Sequence, residues 1–329
     1  MLLYVDTIDA CNLKCPTCVR GSRALPNTGE KMPLAMFRLI VEKAKNDGDV
    51  HQVDLFNWIE PFLNKNLHEY TNVVKDAGLP CGISSALSLP RIHNLEETLV
   101  NTNTLTVSVS GLDQEIYEVN HVGGNIDYVK THLETISRLL RTGAIKTLVT
   151  LRFLKFDYNS DQEKKLLDYA SNLGLNFEVL PASGHPIKWA LDDQAGETVR
   201  DRLAHFSAER PHEGHGHVCP LIFEHIAINH AGDVYLCCAY GNFDFLRIGS
   251  YLELSKEEIL LRRYTHPMCN SCAWDRRPAT FKEQETLKKS FANRFKEIPD
   301  PARKTVLEKL IQIIPTPAKG IIQERIKQF

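Results

Sequence analysis

Three cysteines stand together near the start of the chain, in Cys11-Asn12-Leu13-Lys14-Cys15-Pro16-Thr17-Cys18, a C-x3-C-x2-C spacing. Thiolates are soft ligands, and three on one loop can each take a different iron of a cubane cluster, leaving one iron open. A zinc loop is the competing chemistry, although structural zinc sites usually close with four ligands. A second set is dispersed: Cys219, Cys237, and the pair in Cys269-Asn270-Ser271-Cys272. Four thiolates can ligate a second cluster fully, or hold zinc in a ribbon. Cys81 and Cys238 remain, and free cysteines are most often small buried hydrophobes. Nine cysteines is an odd number, and nothing at Met1-Leu2-Leu3-Tyr4-Val5-Asp6 resembles a secretory signal. A disulfide framework is therefore a poor reading, and clustered thiols in a reducing cytoplasm read as metal ligands.

Such ligands need a scaffold. Short β-rich runs at Leu2–Ile8, His51–Phe56, Cys81–Ala86, Thr104–Ser110, Lys146–Leu154 and Asn176–Leu180 alternate with helical patterns at Pro33–Asn46, Asn66–Ala77, Leu95–Val100, Asp127–Arg141 and Asp161–Leu173. Alternation of this kind implies an α/β fold with a parallel sheet and right-handed crossovers. Six strands can curl into a partial (β/α)6 barrel whose functional end lies at the C-terminal ends of the strands. The cysteine loop follows the first strand and falls at that end. Residues 1–183 are thus assigned to the barrel. Residues 184–218, broken by glycine and proline, read as a linker. Residues 219–279 form a smaller α+β module with a hairpin around Ala231-Gly232-Asp233. Residues 280–329 turn helical and basic, with 11 Lys/Arg against 6 Asp/Glu.

Composition narrows the function classes. Of 329 residues, 43% are hydrophobic and 24% charged, enough for a sizeable core. A net charge of −2 argues against a chain-wide nucleic-acid footprint. No apolar run reaches the length of a membrane span, so no integral membrane segment is expected, and the location expected is cytoplasmic.

The C-x3-C-x2-C loop after a first barrel strand resembles the radical S-adenosylmethionine (SAM) superfamily over about the first 180 residues. The resemblance implies a [4Fe-4S] cluster on Cys11, Cys15 and Cys18 whose open iron takes the amino and carboxylate groups of SAM. Reductive cleavage then yields a 5′-deoxyadenosyl radical, which removes a hydrogen atom from substrate. Reduced flavodoxin or ferredoxin is the implied electron donor. Phe56-Asn57-Trp58-Ile59-Glu60-Pro61 stands where the family often has Gly-Gly-Glu-Pro. Glu60 then receives the SAM ammonium beside Asn57, although Trp58 and Ile59 replace glycines. Ser108 and Ser110 end the fourth strand, where the family places small polar residues near SAM. Ser84 and Ser85 end the third, and Arg152 in the fifth can meet the SAM carboxylate as a bidentate partner.

Cys219, Cys237, Cys269 and Cys272 resemble the twitch domain, a shortened relative of the SPASM auxiliary-cluster domain, and imply a second [4Fe-4S] cluster suited to moving electrons. Because the chain begins directly with the first barrel strand, a small polar substrate of the sugar or aminocyclitol type is expected, with oxidation of an alcohol carbon. The alternatives are a radical epimerase, in which Cys238 or Cys81 returns a hydrogen atom, and a maturase of a ribosomally made peptide. His185 and Trp189, after the sixth strand, are candidate pocket residues. His212, His215 and His217 read first as a solvated loop, and the apolar faces of the C-terminal helices as packing surfaces.

Overall fold

The computed structural model describes residues 1–22, 27–182, 221–239, 244–264 and 266. His185, Trp189, Cys219, Cys269, Cys272, the three linker histidines and the basic C-terminal segment lie outside the described residues. The chain divides into two units, Met1–Gly196 with His225–Arg247, and Glu197–Glu224 with Ile248–Phe329.

The first unit is built on β1 (Leu2–Val5), β2 (Gln52–Asp54), β3 (Cys81–Ser85), β4 (Thr104–Val109), β5 (Leu148–Lys155) and β6 (Asn176–Pro181). These six strands are parallel and ordered as in the sequence. The fold class is the expected one, and the strand ends fall within three residues of those read from the sequence. Two further strands, β7 (His225–Ile228) and β8 (Asp233–Tyr235), form the antiparallel hairpin around Gly232. The sequence reading placed that hairpin in the smaller module. It joins the barrel sheet instead, with β7 parallel to β1 in the register Leu2↔His225 to Val5↔Ile228. Turn chemistry announces a hairpin locally, but a strand's other neighbour is a tertiary choice.

Helices cross between the strands: α1 (Val19–Ser22), α2 (Leu34–Asp47), α3 (Leu67–Asp76), α4 (Leu95–Val100), α5 (Gln114–Asn120), α6 (Ile126–Arg141) and α7 (Gln162–Leu173). In α6, Ile126, Val129, Leu133 and Ile136 make one buried stripe at helical spacing. The Asn125 side chain accepts from the Asp127 and Tyr128 amides and caps that helix. Gly174 ends α7 in the left-handed region at φ 71°.

The sheet has two unlike faces. Along β4, Leu105, Val107 and Val109 are buried, while Thr104, Thr106 and Ser108 are half-open. The same alternation makes Arg152 of β5 an inner-face residue between buried Leu151 and Phe153. Strands β1 and β5 are four strand steps apart, roughly 19 Å in a flat sheet. The Arg152 guanidinium nevertheless acts on the Tyr4 hydroxyl of β1, so the sheet curls its polar face inward.

In the second unit, Ser255 and Glu258 form a reciprocal capping box at the start of α9 (Lys256–Tyr264), at 3.0 and 3.1 Å. Buried Arg263 donates to the carbonyls of Ile222 (2.8 Å) and Leu221 (2.9 Å) in α8 (Leu221–Glu224). Among the described residues no helix is long and apolar enough to cross a membrane.

Candidate functional site

The cysteine loop leaves β1 and is folded back on itself. Segment 28–32 returns antiparallel to residues 7–9, with hydrogen bonds from Asp9 N to Glu30 O (2.8 Å), Gly29 N to Asp9 O (3.1 Å) and Met32 N to Thr7 O (3.1 Å). Within the loop, Cys18 N donates to Cys15 O, and Leu13 N points at Cys11 Sγ at 3.5 Å. The helix α1 lies so close that a Cβ at Gly21 would meet Cys15 O at 2.3 Å, so glycine permits the approach.

Arg20 is the centre of the restraint. It is buried and pairs with Asp9, donates to Asn27 Oδ1 (3.0 Å), and gives its Nε–H to the Trp58 carbonyl. Asn27 in turn accepts from Cys11 N (3.0 Å) and donates to Cys11 O (3.1 Å). Burial works to raise the Asp9 carboxyl, but the hydrogen bond and charge of Arg20 outweigh it and hold the group below its ordinary range. One guanidinium thus ties the cysteine loop to the loop after β2. The sequence reading did not weigh Arg20 or Asp9; their places just outside the cysteine motif are the only signal it offered.

The β2 loop carries Glu60, 3% exposed. Its amide donates to Ala10 O (2.9 Å), beside Cys11. Its carboxylate accepts from Ser85 Oγ (2.7 Å), Phe62 N (3.1 Å) and Ala86 N (3.1 Å). Ser85 is therefore tied to Glu60 at the end of β3. Burial raises the Glu60 carboxyl, and these three donors oppose the rise. Trp58 is accommodated where the family has glycine: its carbonyl takes Arg20, its amide donates to Asp6 Oδ1 (3.3 Å), and its indole donates to the Asn57 side chain (3.0 Å). Asn57 also donates to the Cys238 carbonyl (3.2 Å), joining the β2 loop to the turn after β8.

The three thiols feel one another and Glu60. Burial first, then the Glu60 charge, pushes the Cys11 thiol up to about 12. Burial, then Cys18 and Cys11, pushes up Cys15. Such a group resists ionisation unless a cation is present, and a bound metal keeps coordinating thiols deprotonated. Among the described residues no three His, Cys, Asp or Glu side chains converge on a single ion. A cubane does not require that, because each thiolate ligates its own iron. The donor set, three soft sulfurs without imidazole, fits an iron–sulfur cluster.

The remaining candidates divide. Ser108 lies on the inner face, in register with Arg152. Arg152 is engaged by Glu178, its register neighbour on β6, at 3.2 Å from Nε and Nη2. Ser110 is fully buried, with its hydroxyl between Tyr117 O (3.0 Å) and His121 Nδ1 (2.8 Å). Cys81 begins β3, is completely buried, and stands away from the functional end, as expected. Cys237 Sγ takes the Ala239 amide at 3.3 Å. Cys238 interacts with the Tyr4 hydroxyl, which also feels Asp54 and Arg152. Asp54 is buried, accepts from Gln52 at 2.7 Å, and lies where a Cβ on Gly82 would meet Oδ1 at 2.0 Å. Tyr4, Asp54 and Glu178 extend the polar inner face beyond the residues read from sequence; their positions in β-rich runs marked them only as alternating strand residues.

Comparison with protein-family models finds no match, and comparison with curated protein sequences finds none. Solved structures do match. Streptococcus suis SuiB bound to S-adenosylmethionine aligns with 80% of this chain and 65% of its own, at 15% identity and a TM-score of 0.58. The chain thus spans just under two thirds of SuiB. The same enzyme with its precursor peptide SuiA gives 81% and 65% coverage at 15% identity and a TM-score of 0.58. Native anSMEcpe with bound AdoMet aligns with 95% of this chain and all of its own, at 14% identity and a TM-score of 0.53. The chain has the fold of these radical SAM enzymes, a mixed α/β structure on a large parallel sheet.

Proposed function

We propose that the chain is a radical SAM enzyme that acts on a small polar substrate. The observation that supports this is the pairing of the Cys11–Cys15–Cys18 loop with Glu60, clamped together by Arg20 at the C-terminal ends of β1 and β2. When bound, the cluster and SAM supply one-electron cleavage of the sulfonium, giving methionine and a 5′-deoxyadenosyl radical. Cys11, Cys15 and Cys18 would hold the cluster, and Glu60, steadied by Ser85 and the Ala86 amide, would receive the SAM ammonium. Ser108 and Arg152 line the inner face, and Arg152 orients anionic or hydroxyl groups from its pairing with Glu178.

The polar inner face suits a hydroxylated substrate. Oxidation of its carbinol carbon to a ketone would give one hydrogen atom to the 5′-deoxyadenosyl radical, one proton to a base and one electron to a second cluster, which would supply the electron acceptor. The second cluster is assigned to Cys219, Cys237, Cys269 and Cys272, and His185 and Arg152 are the candidate bases. A second reading, epimerisation, is favoured by the Cys238 thiol acting on Tyr4 at the inner face, where it can return a hydrogen atom to a substrate radical. Peptide maturation is a third reading, supported by the precursor peptide SuiA bound to SuiB. Electron delivery is assigned to reduced flavodoxin or ferredoxin, and the twitch-type domain to residues 219–279.

The test is reconstitution under anaerobic conditions. Two cubanes hold about eight irons, and Cys11, Cys15 and Cys18 changed together to Ala leave about four. The parent, reduced in the presence of SAM, releases 5′-deoxyadenosine; the triple variant releases none. Zinc in place of iron, or cleavage that survives the triple change, overturns the reading.

A further inference from the structure

Asp54 is a buried carboxylate that the proposed function does not use. It is the last residue of β2, at the functional end of the strand, and precedes the loop that carries Glu60. It stands in register with Tyr4 of β1 and Gly82 of β3, so the three share the inner face of the sheet. Gly82 makes room for the carboxylate. A Cβ there would stand 2.0 Å from Asp54 Oδ1 and 3.0 Å from Gln52 Nε2. The Tyr4 ring is fixed by Phe56, edge-on at 5.5 Å, and by His225, stacked at 5.4 Å with planes within 7°.

The carboxylate is only half satisfied. Asp54 is 4% exposed. Its Oδ1 accepts from Gln52 Nε2 at 2.7 Å, but among the described residues Oδ2 accepts no hydrogen bond and no cation pairs with the group. Glu60, buried to the same degree, takes three donors. Arg152, a cation on the same face, is already engaged by Glu178. The Tyr4 hydroxyl likewise makes no hydrogen bond among the described residues. A buried carboxylate with one neutral donor is costly unless a cation or further donors reach it. Burial accordingly raises the Asp54 carboxyl, with Gln52 and then His51 opposing.

We infer that the open oxygen of Asp54, with the Tyr4 hydroxyl in register beside it, binds a protonated amine of the substrate, so that the enzyme selects an amine-bearing polyol over its all-hydroxyl counterpart. This rests on the reading of the chain as an enzyme of a small polar substrate and narrows that class. An ammonium group brings the positive charge that Asp54 lacks, and its N–H donors can be shared between the carboxylate and the phenol oxygen. A hydroxyl brings a single donor and no charge. Gln52 and Gly82 are positioning residues: one holds Oδ1, and the other leaves the space in which the carboxylate lies.

The experiment is equilibrium binding to the reconstituted full chain, oxidised and with SAM present so that nothing turns over. The probes are glucosamine against glucose, and scyllo-inosamine against scyllo-inositol. In the parent, at least one amine should bind about tenfold tighter than its hydroxyl partner. Asp54→Asn keeps the shape and removes the charge, and should bring that pair to within about twofold. Equal binding in the parent, no binding of any probe, or a preference that survives Asp54→Asn overturns the inference. If Asp54→Asn does not fold, the parent alone decides. The N-methyl amine, still charged, should keep the preference and the N-formyl amine, uncharged, should lose it; any other pattern overturns the inference. Release of 5′-deoxyadenosine on reduction is measured in the same preparation. Its absence overturns the underlying reading, whereas release without an amine preference overturns this inference alone.

Discussion

The loop Cys11–Cys18 and the turn Cys237–Cys238 both carry thiols just beyond a strand, yet they are held in different ways. The first is fastened by its own neighbours: the returning segment 28–32, the Arg20 guanidinium, Asn27 and the turn after α5. The second hangs from a hairpin and is met from elsewhere in the chain, by Asn57 at the Cys238 carbonyl. The first is a contiguous motif whose ligands arrive together when one loop folds. The second set, if it ligates the proposed second cluster, would draw its cysteines from three separated stretches of sequence. Contiguity makes the first set robust and readable. Dispersal makes the second dependent on partners that sequence does not name.

The sharpest way to break this comparison removes the dispersed ligands. With Cys269→Ala and Cys272→Ala together, product formation should fall to background while 5′-deoxyadenosine release persists. Product and 5′-deoxyadenosine measured in the same reaction check this, and equal loss of both in a folded protein contradicts the division of labour. Next in size is Arg20→Leu, which leaves Asp9 buried without its partner. Breaking a buried pair from one side costs about 3–5 kcal/mol. Urea denaturation should show a loss of that order, and Asp9→Leu added to it should recover part of the loss. Gly21→Ala should cost about 1–3 kcal/mol through overpacking against the Cys15 backbone. Iron counting should find the deficit at the first site alone.

The smallest effect sharpens the comparison by pH. His121, beneath Tyr117, is held by burial at about 4, against an ordinary value of 6.5, with the Tyr117 backbone opposing. The fold therefore keeps the ring neutral, whereas the unfolded chain takes a proton near 6.5. Its contribution is fully present above about 6.5 and is lost as pH falls toward 4, at no more than about 1.4 kcal/mol per pH unit. His121→Phe should lack this slope. Urea midpoints at pH 7 and pH 5, compared with the parent, measure the difference, and parallel slopes refute it.

Much of this was legible. The six strands and their order follow from apolar runs set between helical periods, because a parallel sheet buries one face of every strand against helices. The cysteine spacing and its place after β1 are local facts. Helix α5 was not read, because seven residues between Gly111 and Gly123-Gly124 look like a loop, and only Tyr117 and Asn120 within it are buried. The burial of Arg20 carries no signal in the sequence, since burial of a guanidinium depends on a carboxylate brought to it by folding. The inner face was legible only in part: the resemblance singled out Ser108 and Arg152, but Glu178 became Arg152's partner through the register of β5 on β6.

The pairing of β7 with β1 has a consequence in time. During synthesis β1 waits for a partner more than two hundred residues downstream before that edge is covered. Chains grow at about 5–20 residues per second, so the interval is on the order of ten seconds or more. Through it, an apolar strand with Leu3 and Val5 presents unpaired backbone, the form of surface that recruits other chains. Closure over so large a separation is also slow for entropic reasons. The cysteine loop springs from this strand, so its base is anchored on one side by a strand made after all six barrel strands.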